Sequence, residues 1–214
     1  MPARPKPPPP TTALFVRHGR TPTTGQVLPG RAAGLHLADE GRTQAEAAAE
    51  RLAALKKVDA VYASPLERAR ETAAPIARRL GLKVSVDKGL LECDFGEWTG
   101  AELKVLGRKP EWAAVQRHPS GFRFPGGESF AEMQTRMVTA VARLTERHPG
   151  GTIVLVSHAD PIKAAVAHAA GTHLDLFQRL VISPCSVTAI AYAATGPVVL
   201  AVNCVGTLTE LRAS

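Results

Sequence analysis

The chain has 214 residues, of which 45% are hydrophobic and 21% charged, which suits one globular domain with a core large enough to fold alone. Its apolar stretches are too short to span a bilayer and no signal peptide is evident, so we expect neither a membrane protein nor an exported one. The formal net charge of +7 comes without a run of five basic residues and with only 5% aromatic residues. It favours attraction for anionic small molecules over nucleic-acid binding.

The cysteines, Cys93, Cys185 and Cys204, are odd in number, far apart and without a C-x-x-C pair. This usage is typical of a reduced, cytoplasmic protein rather than of a disulfide scaffold or a zinc site. We expect a cytoplasmic protein that needs no metal or other cofactor, and we leave open whether it forms a homodimer.

Residues 1–12 are rich in proline and include Arg4 and Lys6. Such a composition is typical of a disordered or polyproline-II segment. We predict a disordered tail over residues 1–12 and a single domain over residues 13–214.

Strand-like and helix-like segments alternate at the start of the domain. The apolar run 14–16 predicts a buried strand of a parallel sheet, which ends at Arg17 and His18. A polar, glycine-containing loop follows from Thr21 to Leu37, and a helix is predicted to begin near Asp39. This order favours an α/β fold.

The second strand-like run, residues 59–63, leads directly into a predicted helix start. Ser64 has the position of an N-cap, Pro65 that of the first helical residue, and Glu67 completes a capping box. Gly81 is predicted to end this helix.

The second half of the chain repeats the strand-to-helix order. A capping box over residues 129–132 predicts another helix start, and the apolar run 153–157 predicts a strand that ends before His158. A further helix is predicted from His158 to Gly171. Two runs near the end, 187–192 and 198–202, predict antiparallel strands, so the sheet is expected to be mixed.

Two histidines and two arginines follow these strands. In open α/β sheets the reactive crevice lies beyond the carboxyl ends of the strands, so we expect Arg17, His18, Arg68 and His158 at one edge. Arg68 would lie in the first turn of its helix, where free backbone N–H groups favour anions and a guanidinium adds two-point recognition. The pattern predicts a pocket for a dianionic phosphoryl group.

Each of these residues also has an ordinary interpretation. Arg68 is equally well explained as a solvated surface arginine. His18 can be a nucleophile, a base, a metal ligand or a buried structural residue, and His158 has the same alternatives. A metal is disfavoured because nearby arginines repel cations and no H-E-x-x-H motif or carboxylate cluster accompanies the histidines. Gly19 permits a close backbone approach or a positive φ angle.

Motifs in the same order resemble those of the histidine phosphatase superfamily, which has the phosphoglycerate-mutase-like fold. They extend from about Ala13 to about Tyr192 and comprise Arg17-His18-Gly19, Ser64 to Ala73, Leu91 to Gly100, Pro125 to Ser129, and Ser157-His158. Each motif is weak alone, whereas their order and spacing together are specific. The resemblance implies an α/β fold, a three-layer α/β/α sandwich with a mostly parallel mixed sheet.

The resemblance also implies roles for the residues at the sheet edge. His18 would attack phosphorus and become a phosphohistidine, for which one ring nitrogen must be unprotonated and the other held by an acceptor. Arg17, Arg68 and His158 would bind the phosphoryl oxygens and stabilise their charge in the transition state.

Glu92 matches the general acid of the superfamily. It would protonate the leaving alkoxide and then activate water, which requires a pKa raised by burial near apolar residues such as Phe95 and Trp98. Without the surrounding motif, Glu92 would be read as an ordinary surface carboxylate.

The chain departs from the family pattern at three positions. Thr24 stands where the family often has Asn, and its hydroxyl is expected to touch the phosphoryl group less firmly. Ala159 and Asp160 stand where many members have two glycines after the second histidine; Ala159 is expected at the phosphate site. Asp160 is an alternative proton donor to Glu92, because a related acid-phosphatase branch uses an Asp close to that histidine.

Three functions remain open from the sequence. The favoured one is a metal-independent phosphomonoesterase that acts on a small phosphorylated metabolite. A phosphoglycerate-type mutase is the alternative. It is disfavoured because, where cofactor-dependent mutases carry an inserted basic segment, this chain has only Lys104, Arg108 and Lys109, and because the following motif from Pro125 to Ser129 resembles the phosphatase branch. A sensor that binds phosphorylated ligands without turnover is the third. We expect specificity to be set by the loop from Thr21 to Leu37 and the segment from Lys104 to Gly127.

Overall fold

The computed structural model describes residues 9–208 and is organised around one mixed β-sheet. The strands are β1 (Thr11–Arg17), β2 (Ala60–Ala63), β3 (Val84–Val86), β4 (Thr152–Ser157), β5 (Val187–Ala193) and β6 (Gly196–Cys204). Their spatial order is β3-β2-β4-β1-β5-β6. The first four in this order are parallel neighbours, and the β5–β6 hairpin joins β1 antiparallel. The predicted mixed, mostly parallel sheet is confirmed.

Helices connect the strands and cover the sheet. The α-helices are α1 (Asp39–Ala53), α2 (Glu67–Leu80), α3 (Leu103–Leu106), α4 (Trp112–Arg117), α5 (Phe130–Glu146) and α6 (Ala159–Ala169). Short 3-10 helices span Lys88–Leu90, Gly96–Trp98, Pro119–Gly121 and Leu174–Arg179. Within residues 9–208, no helix has both the length and the apolar character needed to cross a membrane.

Side-chain alternation along β1 creates a core on each face of the sheet. Leu14 and Val16 pack in a cluster with residues of α1 and α2, whereas Ala13 and Phe15 pack in a cluster with residues of α5 and α6. Successive strand residues point to opposite faces, so one apolar run serves both cores. The three-layer α/β/α sandwich is therefore confirmed.

The first strand begins earlier than expected. β1 starts at Thr11, and Thr11 and Thr12 pair with Tyr192 and Ala191 of β5. The Thr11 hydroxyl also donates to the carbonyl oxygen of His148 at 2.9 Å. The prediction of a disordered tail is therefore wrong for residues 11 and 12, because Thr12 pairs with β4 and β5 and Thr11 pairs with β5. The rest of that prediction concerns residues 1–10: residues 9 and 10 are in neither a helix nor a strand, and residues 1–8 lie outside the described residues.

One of the two predicted capping boxes forms. Ser129 accepts from the backbone N–H of Glu132, and the Glu132 carboxylate accepts from the Ser129 N–H, so α5 begins as expected. The box at Ser64 is wrong: α2 begins at Glu67, and its N-cap, Leu66, has no side-chain cap. The Ser64 hydroxyl instead lies against a histidine of the site described below.

Candidate active site

The topology places the two motif histidines next to each other. β1 and β4 are parallel neighbours in register, with Arg17 opposite Ser157. The backbone N–H of His18 continues this pairing with a 3.0 Å hydrogen bond to the Ser157 carbonyl. His18 and His158 thus leave adjacent strands at the same edge, and their ring centroids are 5.2 Å apart in an edge-to-face arrangement. The expected convergence at the carboxyl edge is confirmed for this pair.

A pocket of about 200 Å³ opens beside His18. The residues that line it are Arg17, His18, Thr21, Thr24, Gly25, Val27, Leu28, Pro29, Glu92, Phe95, Leu103, Ala159 and Asp160. Arg68 and His158 do not line it and are fully buried beside it. The His158 ring contacts that of His18, and the Arg68 charge lowers the pKa of His18.

His18 is held as a neutral imidazole with one ring nitrogen committed. Its Nδ1 lies 2.7 Å from the carbonyl oxygen of Gly19. A carbonyl only accepts, so Nδ1 carries the proton and Nε2 keeps its lone pair. Burial lowers the pKa of His18 well below its usual value, and the charges of Arg68 and Arg17 lower it further. The ring therefore has the protonation state that a nucleophile requires.

Gly19 and Gly41 allow the chain after β1 to approach α1 closely. A Cβ on Gly19 would lie 2.5 Å from the carbonyl oxygen of Gly41, and a Cβ on Gly41 would lie 2.1 Å from that of Arg20. Of the two explanations for Gly19, the close approach is the one that applies, since Gly19 is not among the positive-φ glycines. This contact positions the Gly19 carbonyl that orients His18.

His158 is oriented by Ser64, a residue whose role the sequence did not reveal. His158 Nε2 lies 2.8 Å from Ser64 Oγ, and the Leu66 N–H donates to the same oxygen at 3.4 Å. When the Ser64 hydroxyl donates to Nε2, neutral His158 carries its proton on Nδ1. That Nδ1 is buried and has no partner among residues 9–208. In that tautomer, His158 Nδ1 is a donor available to an anion.

Both arginines have one nitrogen anchored and others unpaired. Arg17 Nη1 donates to the Ile182 carbonyl at 2.6 Å, and Arg68 Nη2 donates to the Gly30 carbonyl at 2.7 Å. Within the described part of the chain, Arg17 Nε, Arg68 Nε and Arg68 Nη1 are buried without a partner. Buried donors normally find acceptors, so this convergence suits an anion with several oxygens. The interpretation of Arg68 as a surface arginine is wrong, because its side chain is fully buried.

Glu92 is buried at the wall of the pocket. Burial raises the pKa of its carboxyl to about 7, and the nearby Asp160 carboxylate adds to the rise, against the opposing charges of Arg68 and Arg17. Phe95 lines the same pocket, whereas Trp98 packs in the apolar cluster behind it. The raised pKa that the resemblance required is therefore present, and a neighbouring carboxylate contributes to it as well as burial.

The three positions that depart from the family pattern all line the pocket. Thr24 Oγ1 accepts from the Thr21 N–H at 2.8 Å and lies 3.0 Å from Thr21 Oγ1. Ala159 begins α6, whose free N–H groups favour an anion. Asp160 lies in the same first turn and forms an ion pair with Lys163 at 3.3 Å.

A partly buried ion network that the sequence did not reveal holds the segment carrying Glu92. The Glu92 carbonyl accepts from Arg31 Nε at 2.9 Å and from Arg136 Nη2 at 3.2 Å. Arg136 Nη1 also donates to the Leu91 carbonyl at 2.9 Å. Both guanidinium groups contact the Glu128 carboxylate. One feature of the sequence could have indicated this network. Arg136 is a charged residue that lies one helical turn from Met133, on the buried side of α5.

The pocket wall only partly matches the segments expected to set specificity. The loop from Thr21 to Leu37 lines it through residues 21–29, as expected. Among the described residues that line the pocket, none belongs to the segment 104–127. Leu103, just before that segment, lines the pocket instead. The segment packs instead in an apolar cluster through Phe122 and Phe124.

The chain resembles known proteins in sequence and in fold. The family model described as histidine phosphatase superfamily (branch 1) matches residues 13–205. The chain is 34% identical over 188 residues to the bifunctional protein Rv2228c of Mycobacterium tuberculosis, a match that covers 87% of this chain and 52% of that protein. The chain thus spans about half the length of that curated relative.

Two further matches are with proteins named as phosphatases. Phosphoserine phosphatase 1 of Hydrogenobacter thermophilus is 33% identical over 153 residues, covering 69% of this chain and 72% of that protein. The structure of the mycobacterial glucosyl-3-phosphoglycerate phosphatase Rv2419c superposes with a TM-score of 0.75 at 30% identity, covering 84% of this chain and 89% of that one.

Proposed function

The chain belongs to the histidine phosphatase superfamily, branch 1, and on this premise we propose that it is a metal-independent phosphomonoesterase. Its substrate is a small phosphorylated metabolite, and its reaction passes through a phosphohistidine intermediate. One observation carries the proposal: neutral His18 presents Nε2 beside a set of buried, unpaired donors on Arg17, Arg68 and His158. Relatives named as phosphatases of phosphoserine and of glucosyl-3-phosphoglycerate support this substrate class.

In the first step, His18 Nε2 attacks phosphorus and the P–O bond to the leaving group breaks as the P–N bond forms. The guanidinium groups of Arg17 and Arg68 and the Nδ1–H of His158 bind the equatorial oxygens, where charge is spread in the transition state. Because these donors are held by Ile182, Gly30 and Ser64, they need little reorganisation as charge develops.

Glu92 supplies the proton that the leaving alkoxide needs. A carboxyl with a pKa of about 7 is partly protonated at neutral pH, which suits a group that acts first as an acid and then as a base. In the second step ionised Glu92 takes a proton from water, the water oxygen bonds to phosphorus, and the P–N bond breaks. Inorganic phosphate leaves and His18 is regenerated with Glu92 protonated.

Glu92 is favoured over Asp160 for this role. The Asp160 carboxylate is already engaged in an ion pair with the Lys163 ammonium at 3.3 Å. Glu92 has no such partner in a salt bridge among the described residues, and burial favours its protonated form. We assign Asp160 to tuning Glu92 through its negative charge.

The proposal is tested by release of inorganic phosphate from p-nitrophenyl phosphate in the presence of EDTA. We expect turnover that EDTA does not reduce. Abolition of turnover by EDTA, restored by a divalent cation, would contradict metal independence. The mutase would be favoured if the protein transfers phosphate between phosphoglycerates faster than it releases phosphate, and if this transfer needs a bisphosphate primer. The sensor would be favoured if the protein binds phosphate without any turnover.

A further inference from the structure

Two chemically different groups of residues line the pocket. One group is polar and includes Arg17, His18, Glu92 and Asp160. The other, here called the apolar half, consists of Val27, Leu28, Pro29, Phe95 and Leu103. If the phosphoryl group lies beside His18, this apolar half must receive the alcohol that leaves. This inference therefore rests on the proposed phosphatase activity and concerns the class of its substrate.

The apolar half is preformed by pairing between two segments. The Leu28 N–H donates to the Ala101 carbonyl at 2.9 Å, and the Gly100 N–H donates back to the Leu28 carbonyl at 2.8 Å. The Leu103 N–H donates to the Gln26 carbonyl at 2.8 Å. The side chains of Leu28 and Leu103 also pack against the buried cluster that contains Phe95. The apolar surface is thus fixed by backbone hydrogen bonds and packing, and a ligand need not order it.

The charges around the pocket disfavour a second anionic group on the substrate. Among the described residues that line it, Arg17 is the sole cation, and it already serves the phosphoryl group, whereas Glu92 and Asp160 are carboxylic acids. Arg31 is close in sequence but its guanidinium contacts Glu128 and Asp94. A substrate carboxylate would lose water, gain no cation and approach Asp160.

The pocket is also small. At about 200 Å³, it lies below the range of about 300–1,000 Å³ typical of sites for larger ligands. The phosphoryl group takes part of this volume. What remains suits a short alkyl chain or a single ring next to the ester oxygen.

We propose that the apolar half selects phosphate monoesters whose leaving alcohol is uncharged and apolar, and that it rejects esters whose alcohol carries a carboxylate. The substrate would then differ in class from phosphoserine, although the chain resembles a phosphoserine phosphatase. The selection comes from the apolar wall of the pocket combined with repulsion of a substrate carboxylate by Asp160, and no dedicated polar contact to the alcohol is needed.

The experiment compares benzyl phosphate with 4-carboxybenzyl phosphate, which differ by one carboxylate. We expect kcat/KM of the wild-type protein to be about tenfold or more higher for benzyl phosphate, since an unpaired charge in a desolvated pocket is costly. Leu103→Arg should reduce this ratio about fivefold or more by placing a cation at the wall. Val105→Arg is the matched control: it lies on the same short helix, is exposed and does not line the pocket, so it should leave the ratio unchanged.

Two results would overturn the inference. One is equal or higher kcat/KM for 4-carboxybenzyl phosphate, and the other is an equal change of the ratio by Leu103→Arg and Val105→Arg. If neither ester is hydrolysed, the proposed function fails. The selectivity of the pocket is then tested separately by the binding of two non-hydrolysable analogues, benzylphosphonate and 4-carboxybenzylphosphonate. Calorimetric titration should then give the lower Kd for benzylphosphonate; equal values would overturn the selection.

Discussion

Arg136 and Glu128 form a two-point ion pair, with Nε to Oε1 and Nη2 to Oε2 both at 2.9 Å. The pair does more than join α5 to the loop before it. Arg136 also donates to the Leu91 and Glu92 carbonyls, and the Glu128 carboxylate accepts from the Asp94 N–H at 3.1 Å. The backbone on both sides of Glu92 is therefore held by this pair, which makes Arg136 a positioning residue for the proposed acid.

Arg136→Met should lower kcat for alkyl phosphates by about 10- to 100-fold, because a small displacement of a reacting group has effects of this size. The loss for p-nitrophenyl phosphate should be much smaller, since that leaving group hardly needs a proton. Steady-state kinetics on both esters measure the difference.

Arg143→Met is the matched control for Arg136. Arg143 lies on the same helix and pairs with Asp87, away from Glu92, so its loss should not alter leaving-group dependence. Arg136→Lys keeps the positive charge but cannot form the two-point ion pair, so it replaces the Met variant in the same measurement if that variant does not fold. Equal losses on both esters in the Arg136 variants would assign Arg136 a purely structural role.

His18→Ala should abolish turnover while the fold remains intact, because it removes the nucleophile. Wild-type protein quenched in denaturant during turnover should carry an acid-labile, base-stable phosphate on His18, detectable by mass spectrometry. His148→Ala is the control: His148 hydrogen-bonds Tyr62 near the opposite edge of the sheet, so activity should persist. Normal turnover by the His18 variant would contradict the mechanism.

Arg68→Ala and His158→Ala should each lower kcat/KM by about two to four powers of ten, the range seen when one transition-state charge stabiliser is removed. Ser64→Ala should have a smaller effect in the same direction, because it leaves His158 in place without its orienting hydrogen bond. Arg78→Ala, on the exposed side of the helix that carries Arg68, is the control. Changes below about threefold at both Arg68 and His158 would mean that phosphate binds elsewhere.

The pH dependence of alkyl phosphate hydrolysis should follow Glu92. Its protonated form is the acid, so kcat/KM should fall as pH rises through about 7. The charge of Asp160 helps to raise this pKa, so Asp160→Asn should move the fall to lower pH. A pH–rate profile of each protein measures the shift, and an unchanged or upward-shifted limb in the variant would contradict it.

Glu92→Gln should slow hydrolysis of alkyl phosphates severely and that of p-nitrophenyl phosphate much less. Asp160→Asn should show the weaker dependence on the leaving group. The measurement is kcat across a series of esters with alcohols of increasing acidity. A strong dependence in Asp160→Asn together with a weak one in Glu92→Gln would exchange the two roles.

Gly19→Ala should destabilise the protein by about 1–3 kcal/mol and lower activity, because its Cβ would meet the Gly41 carbonyl in a tightly packed region. Gly121→Ala is the control, since its Cβ would meet nothing within 4 Å and its φ is not positive. Thermal unfolding measures stability and p-nitrophenyl phosphate turnover measures activity. Equal melting temperatures for the two variants would show that the backbone contact at Gly19 does not need glycine.

Local sequence patterns predicted the secondary structure best where one residue decides the outcome. Gly81 ends α2 in a left-handed conformation, and the Ser129 box begins α5, because both depend on contacts within a few residues. The start of α2 was wrong for the opposite reason. Ser64 has a partner 94 residues away, His158, and no local pattern can contain that contact.

The sequence by itself determined the strands other than β3, their alternation with helices, and the placement of Arg17, His18 and His158 at strand ends, because apolar periodicity and chain order encode these directly. The short strand β3 was not predicted. Only the tertiary structure decided the environments that make these residues reactive. These environments depend on contacts that only the folded chain brings together. They are the burial of Arg68 and Glu92, the hydrogen bond between the Gly19 carbonyl and His18, and the Arg136 contacts that hold the backbone at Glu92. A pKa depends on solvent exclusion and on nearby charges, and both arise from packing rather than from neighbours in the chain.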